Sequence, residues 1–255
     1  MVPYYGTDVD FSLQGKTAVI TGGAAGIGHA TAAFFTKKGV NLVLADLNAD
    51  VDAIAKDLGA EHIGLAGDIL DGQYRRRIVE RAVEAFGGID ILVNSAGIAA
   101  LDAAESLSEE IWDKTLDINL KGSFLMAQTV GQWMIENNRP GSIVNIASQA
   151  GVIALDRHVA YCASKGGVIS MTQVLALEWG RYGIRVNAVS PTVVLTELGR
   201  RAWAGPVGDA FKQEIPAGRF AEPDEIAAVI AFLSSDTAAM VNGHNLLIDG
   251  GYTIR

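Results

Sequence analysis

The chain has 255 residues, 49% of them hydrophobic and 29 of them glycine, enough to bury a large core in one α/β domain or two small ones. Acidic residues outnumber basic ones 29 to 20, for a net charge of −9. The basic residues are scattered apart from Arg75-Arg76-Arg77, which reads as a solvated helix face, so nucleic acid is excluded as a partner for want of a phosphate-neutralising surface. Cys162 is the single cysteine, which rules out a disulfide within the chain and fits a reducing, cytoplasmic setting. No Lys or Arg precedes Lys16, no apolar leader region is present, and no apolar run is long enough to span a bilayer, so neither secretion nor a membrane is expected.

In chain order, residues 17–21 form a short apolar strand that runs into Thr21-Gly22-Gly23-Ala24-Ala25-Gly26-Ile27-Gly28. Residues 30–38 are then rich in helix formers, so the glycines mark a tight strand-to-helix turn. Such a turn lets the backbone approach a pyrophosphate closely, and the first N–H groups of the helix face its charge. Gly22, Ala25, Gly26, Ile27 and Gly28 are the candidate contacts. A second strand, 41–45, delivers Asp46 to its carboxyl end, where a ribose sits in doubly wound folds. That carboxylate can accept hydrogen bonds from both ribose hydroxyls and repels a 2′-phosphate. With no Arg or Lys in the glycine loop or beside Asp46, NAD is favoured over NADP.

Further strands are predicted at 63–67, 89–94, 142–147, 185–190 and 245–248, alternating with amphipathic stretches such as 77–86, 109–136 and 160–182. Ser108 before Glu109-Glu110, and Pro223 before Asp224-Glu225, mark helix starts. The strands are continuous apolar runs, as in a parallel sheet covered on both faces. Without repeat or linker, residues 1–255 read as a single Rossmann-like, doubly wound α/β domain with a mostly parallel seven-stranded sheet and helices on both faces.

Ser148 follows the strand at 142–147 directly, which places it at the ligand-binding edge of the sheet. Tyr161-Cys162-Ala163-Ser164-Lys165 sets Lys one helical turn after Tyr. A phenol of pKa about 10 is a poor base at neutral pH. A neighbouring ammonium favours the phenolate, so Tyr161 can exchange a proton with an alcohol or carbonyl while Ser148 hydrogen-bonds the same oxygen.

In order and separation, residues 21–28, Asn94-Ser95-Ala96-Gly97, Asn119, Ser148 and residues 161–165 resemble the short-chain dehydrogenase/reductase family. The likeness runs from Gly15 to Asp249-Gly250-Gly251. It implies hydride transfer between a nicotinamide coenzyme and an alcohol or carbonyl, with Tyr161 as general acid/base and Ser148 orienting substrate. Lys165 would bind the nicotinamide ribose and depress the Tyr161 pKa, and Asn119 would bend its helix and hold a water in a proton relay through Lys165. The resemblance also implies Asp68 and Ile69 beside adenine, and Asn94, Ala96 and Gly97 supporting the central strand and lining the coenzyme. Pro191 and Thr196 would contact the carboxamide, with Thr192 and Val194 beside them. Ser95 stands where many members carry a second Asn, and Thr192 where Gly is usual.

Gln149, Asp156 and His158 are the polar candidates for substrate hydroxyls; His158 also reads as a surface or capping residue. Trp203 lies in residues 193–220, an insertion rich in Gly, Pro and apolar residues that suits either a substrate lid or a surface loop. His29, His62, His158 and His244 lack metal-ligand spacing, so no metal is expected. Trp112, Trp133 and Trp179 suit packing or subunit contacts, and the resemblance implies a homotetramer. The segment 94–99 and the ending Asp249-Gly250-Gly251-Tyr252-Thr253 look like bacterial polyol dehydrogenases. The expected reaction is therefore NAD-dependent oxidation of a secondary alcohol, a sugar alcohol giving its ketose. A 3-oxoacyl carrier-protein reductase or a hydroxysteroid-type enzyme is the alternative with the same chemistry. A dinucleotide-sensing protein without catalysis is the alternative of another class, and retention of Ser148, Tyr161 and Lys165 argues against it.

Overall fold

The computed structural model describes residues 9–255; residues 1–8 of the expected 1–255 domain lie outside the described part. Seven strands, β1 (Thr17–Thr21), β2 (Asn41–Asp46), β3 (Ile63–Ala66), β4 (Ile91–Asn94), β5 (Gly141–Ile146), β6 (Ile184–Pro191) and β7 (Asn245–Ile248), form one sheet in the order β3-β2-β1-β4-β5-β6-β7. All six pairings are parallel, so the sheet is parallel throughout rather than mostly. Parallel neighbours require a crossover, and among the described residues each crossover contains at least one helix.

The helices are α1 (Gly26–Lys37), α2 (Val51–Leu58), α3 (Gly72–Phe86), α4 (Glu109–Leu116), α5 (Ser123–Glu136), α6 (Val159–Trp179), α7 (Glu197–Ala202), α8 (Pro206–Glu214) and α9 (Pro223–Ser234). Alternate strand residues feed two cores. Ala18, Ile20, Leu42, Leu44 and Val144 pack with Phe35 of α1, Val51 of α2 and Ile230 of α9. Val19, Val43, Leu92, Ile143 and Val186 pack on the opposite face with Ile78 of α3, Met126 and Met134 of α5, and Leu175 of α6. Burial on both faces is why these strands carry no polar alternation. None of the described helices is long and apolar enough to cross a membrane.

Local signals set several helix ends. Ser108 Oγ accepts from Ile111 N–H at 3.3 Å to open α4. Pro223 is the first residue of α9, with Glu222 and Glu225 closing a reciprocal capping box around it. Helix α3 starts earlier than the expected residue 77, because Asp71 accepts from Gln73 N–H at 2.8 Å. The stretch 109–136, read as one helix, is divided by a π-helical turn at Asp117–Gly122. Residues 193–220 hold the two short helices α7 and α8.

Candidate active site

The order of strands reverses between β1 and β4, and a cleft of about 1140 Å³ opens along the carboxyl ends of the strands at that point. Its volume exceeds the range of about 300–1,000 Å³ usual for small-ligand sites, room for a dinucleotide with a small substrate. Ala25, Gly26 and Ile27 at the start of α1 line it. Ala25 is extended and makes no side-chain cap, and the first turn of α1 has no acidic residue. The unshared N–H groups of that turn therefore suit a pyrophosphate. Gly26, at φ +58°, has the left-handed backbone that a side chain resists.

At the far end Asp46 is held in place. Its Oδ2 accepts from Ala24 N–H at 3.0 Å and its Oδ1 from Asn48 N–H at 3.0 Å. An ionised carboxylate offers about four lone-pair sites, so two remain for a ribose diol. Asp68 and Ile69 line the cleft beside it. The donor and acceptor set fits a nicotinamide dinucleotide without a 2′-phosphate.

The other end gathers Ser148, Tyr161 and Lys165, which come from the end of β5 and from α6. Ser148 caps a short turn, accepting from Ala150 N–H at 3.1 Å, and its hydroxyl lies near enough to the Tyr161 phenol to lower its pKa. The Lys165 ammonium donates to the Ile146 carbonyl at 2.7 Å and lies 5.7 Å from the centre of the Tyr161 ring. Burial pushes the Tyr161 phenol above its ordinary 10, and the Ser148 hydroxyl offsets only part of that. Burial thus acts on the phenol in the opposite direction to the depression expected from Lys165. The dry setting that raises the phenol also lowers the Lys165 ammonium to about 8, weakening the cation that was to stabilise a phenolate.

Lys165 has a measurable consequence for stability. Unfolded, it titrates near 10.5; folded, at about 8. Between these values the unfolded chain holds more protons, so the cost of burying the charge is complete below pH 8 and is relieved as pH rises towards 10.5. The relief amounts to about 3 kcal/mol. Thermal melts of coenzyme-free protein should therefore show a stabilisation from about pH 7 to about pH 10 that Lys165→Met abolishes. A parallel pH dependence in the two proteins would contradict this account.

Three expected contacts face away from the cleft. Gly28 is buried under the turn and does not line the cleft; a Cβ there would lie 2.1 Å from the Gly22 carbonyl oxygen, so close packing of helix on turn requires glycine. Asn94 is buried, donating from Nδ2 to Ser123 O at 3.1 Å and to Asn145 Oδ1 at 2.9 Å, which ties β4 to its neighbours. Asn119 lies in the π-helical turn, and its side-chain amide makes three hydrogen bonds. Its Oδ1 accepts from Ile98 N–H at 2.8 Å, and its Nδ2 donates to Ile98 O at 2.9 Å and to Ser164 Oγ at 3.1 Å. One acceptor site on Oδ1 remains open. The side chain holds the loop after β4, at Ile98, against α6.

Gly22, Ala96, Gly97, Pro191, Thr192, Val194 and Thr196 line the cleft, as do Gln149, His158 and Trp203. Thr21 Oγ1 accepts from Ser95 and Ala96 N–H, at 3.1 and 3.2 Å, holding the turn after β4 against β1. Asp156 does not line the cleft; its backbone carbonyl meets His158 Nδ1 instead. Leu101, Leu155 and Phe211 are lining residues that no motif announces. Their only sequence signal is adjacency, Leu155 lying in the same loop as His158. Trp203 and Phe211 pack with ring centres 4.9 Å apart, and Phe211 stacks on Tyr252 at 4.8 Å. These rings anchor residues 193–220 over the substrate end through Phe220, Ile215 and the C-terminal turn.

The fold and the Ser-Tyr-Lys grouping define the class of doubly wound dinucleotide oxidoreductases. A family model described as enoyl-(acyl carrier protein) reductase matches residues 22–253. The chain is 54% identical over 253 residues to an NAD-dependent glycerol dehydrogenase of Listeria innocua, covering 99% of each. It is 56% identical over 252 residues to a D-threitol dehydrogenase of Mycolicibacterium smegmatis, covering 97% of this chain and 96% of the other. The crystal structure of gox2181 superposes with a TM-score of 0.92 at 36% identity, over 96% of this chain and 98% of that one. The chain belongs to the short-chain dehydrogenase/reductase family of oxidoreductases.

Proposed function

We propose that this protein is an NAD-dependent polyol dehydrogenase that oxidises a secondary hydroxyl of a short sugar alcohol to the ketone. The observation that carries this reading is one cleft with Asp46 at one end and Ser148, Tyr161 and Lys165 together at the other. The high identity to dehydrogenases named for glycerol and D-threitol supports the substrate class. A bound nicotinamide would supply the hydride acceptor for the carbinol carbon. The Tyr161 oxygen takes the hydroxyl proton, Ser148 Oγ holds the same substrate oxygen, and the Lys165 ammonium meets the ribose hydroxyls. Asn119 acts as a positioning residue behind them, and residues 193–220 act as the lid.

Initial rates with NAD and NADP against glycerol, threitol and an oxoacyl thioester test the reading. Threitol or glycerol with NAD should give the highest kcat/KM. Because the active base is the deprotonated Tyr161, whose pKa burial raises, oxidation should accelerate through the alkaline range. Preference for NADPH and the thioester would replace this reading with a carrier-protein reductase.

The same proposal takes the protein to be a cytoplasmic homotetramer. Its lone cysteine supports the compartment. Phe124 on α5 and Val174 and Leu177 on α6 are exposed, Leu177 at 83%, which supports burial of these helices against other copies. A light-scattering mass of four chains is the expected result, and a monomer would refute it.

A further inference from the structure

Two loops form opposite lips of the substrate end of the cleft. The loop after β4 contributes Ala99 and Leu101, and the loop before α6 contributes Leu155 and His158. They are joined at one point. Asp102 Oδ1 accepts from Arg157 Nη2 at 3.2 Å, and the backbones of Asp102 and His158 bridge in a short parallel pairing. The same Oδ1 also accepts from Ala103 N–H at 2.8 Å and from Ser106 Oγ at 3.4 Å, which orients the carboxylate within its own loop. Neither Asp102 nor Arg157 lines the cleft.

Arg157 holds this position in a left-handed conformation, φ +62°. Asparagine tolerates that region, as Asn138 does here at φ +51°, but arginine is a poor choice for it. Backbone strain of this kind persists where the surroundings over-determine it, often beside functional sites. The next residue, His158, starts α6: its carbonyl accepts from Cys162 N–H at 2.7 Å, and its Nδ1 meets the Asp156 carbonyl. Its ring packs edge-on to Tyr161, with centres 6.1 Å apart and planes at 71°. Fixing Arg157 therefore fixes His158, and with it the first turn of the helix that carries Tyr161.

We propose that Asp102 and Arg157 form a clasp across the mouth of the cleft that positions His158 beside Tyr161 and so sets the grip on the substrate. This rests on the polyol dehydrogenase reading for the identity of the substrate. Both side chains are partly exposed, Arg157 at 60% and Asp102 at 35%. Such a pair adds little to global stability and is screened by salt, so its effect belongs in substrate binding and not in the melting temperature.

The test uses the full chain with saturating NAD. Asp102→Asn keeps the Oδ1 acceptor for Ala103 and Ser106 but removes the charge; Arg157→Gln removes the other partner. Each should raise KM for the polyol about threefold to fivefold, the upper range for an exposed pair, with a smaller effect on kcat. Arg157→Lys should restore most of the loss. Salt at about 0.5 M should raise the wild-type KM towards that of the variants and leave theirs in place. Variant KM values within 1.5-fold of wild type would overturn the clasp. So would a salt-indifferent wild type, or a rise in KM matched by an equal loss of directly measured NADH affinity. A wild type inert towards every polyol defeats the functional reading instead, and the clasp is then judged by the same criteria on the ketone or thioester it does reduce.

Discussion

Tyr161→Phe should abolish turnover, by about a thousandfold or more in kcat, while NADH affinity stays within about threefold of wild type. General acid–base groups contribute about 10²- to 10⁴-fold, and no other residue at the substrate end of the cleft offers a phenol. The phenylalanine ring keeps the edge-on packing with His158 and the contact with the Lys165 ammonium, at 6.1 and 5.7 Å in the parent. Only the hydroxyl, with its interaction with Ser148, is lost. Initial rates and a fluorescence titration with NADH separate the two quantities. A variant retaining a tenth of parental kcat would remove Tyr161 from the chemistry, and a collapse of NADH affinity would make its role one of binding.

Asp46→Ala should raise KM for NAD about a hundredfold and erase most of the preference over NADP. Two hydrogen bonds to a charged acceptor are worth about 1.5–3 kcal/mol each, and the like-charge repulsion that excludes a 2′-phosphate disappears with the carboxylate. Asp46 also holds the amides of Ala24 and Asn48, so part of the loss comes from loosening the glycine turn. The NAD-to-NADP ratio of kcat/KM isolates the charge effect, because both coenzymes feel the loosened turn equally. An unchanged ratio would mean that selectivity resides elsewhere in the cleft.

Much of the molecule was legible in the chain because its signals are local. The seven apolar runs lie within a few residues of the observed strands, since a strand buried on both faces must be apolar throughout. Asp46 at the end of β2, Ser148 just after β5, and Tyr161 and Lys165 one turn apart on α6 are all consequences of covalent spacing within or beside a single element. Tertiary structure decided what depends on distant parts of the chain. The π-helical turn inside residues 109–136 is invisible to periodicity, because what accompanies it is the reach of Asn119 to Ile98 and to Ser164, 45 residues away. Gly28, Asn94 and Asn119 carry the expected residue types, yet none lines the cleft: Gly28 packs against Gly22 of its own turn, and bonds to other elements hold the two asparagine side chains inward. The apolar roof of Leu155, Phe211 and Trp203 has no spacing rule, because side chains from the loop before α6 and from residues 193–220 meet there.

By itself, then, the sequence determined the sheet, the glycine turn and the candidate reacting groups, because hydrophobic period, glycine geometry and helical spacing act over a few residues. Only the tertiary structure decided the direction in which Tyr161 and Lys165 titrate, which motif residues reach the cleft, and the pairing of Asp102 with Arg157 across 55 residues. Desolvation and contact between remote segments exist only once the chain is packed.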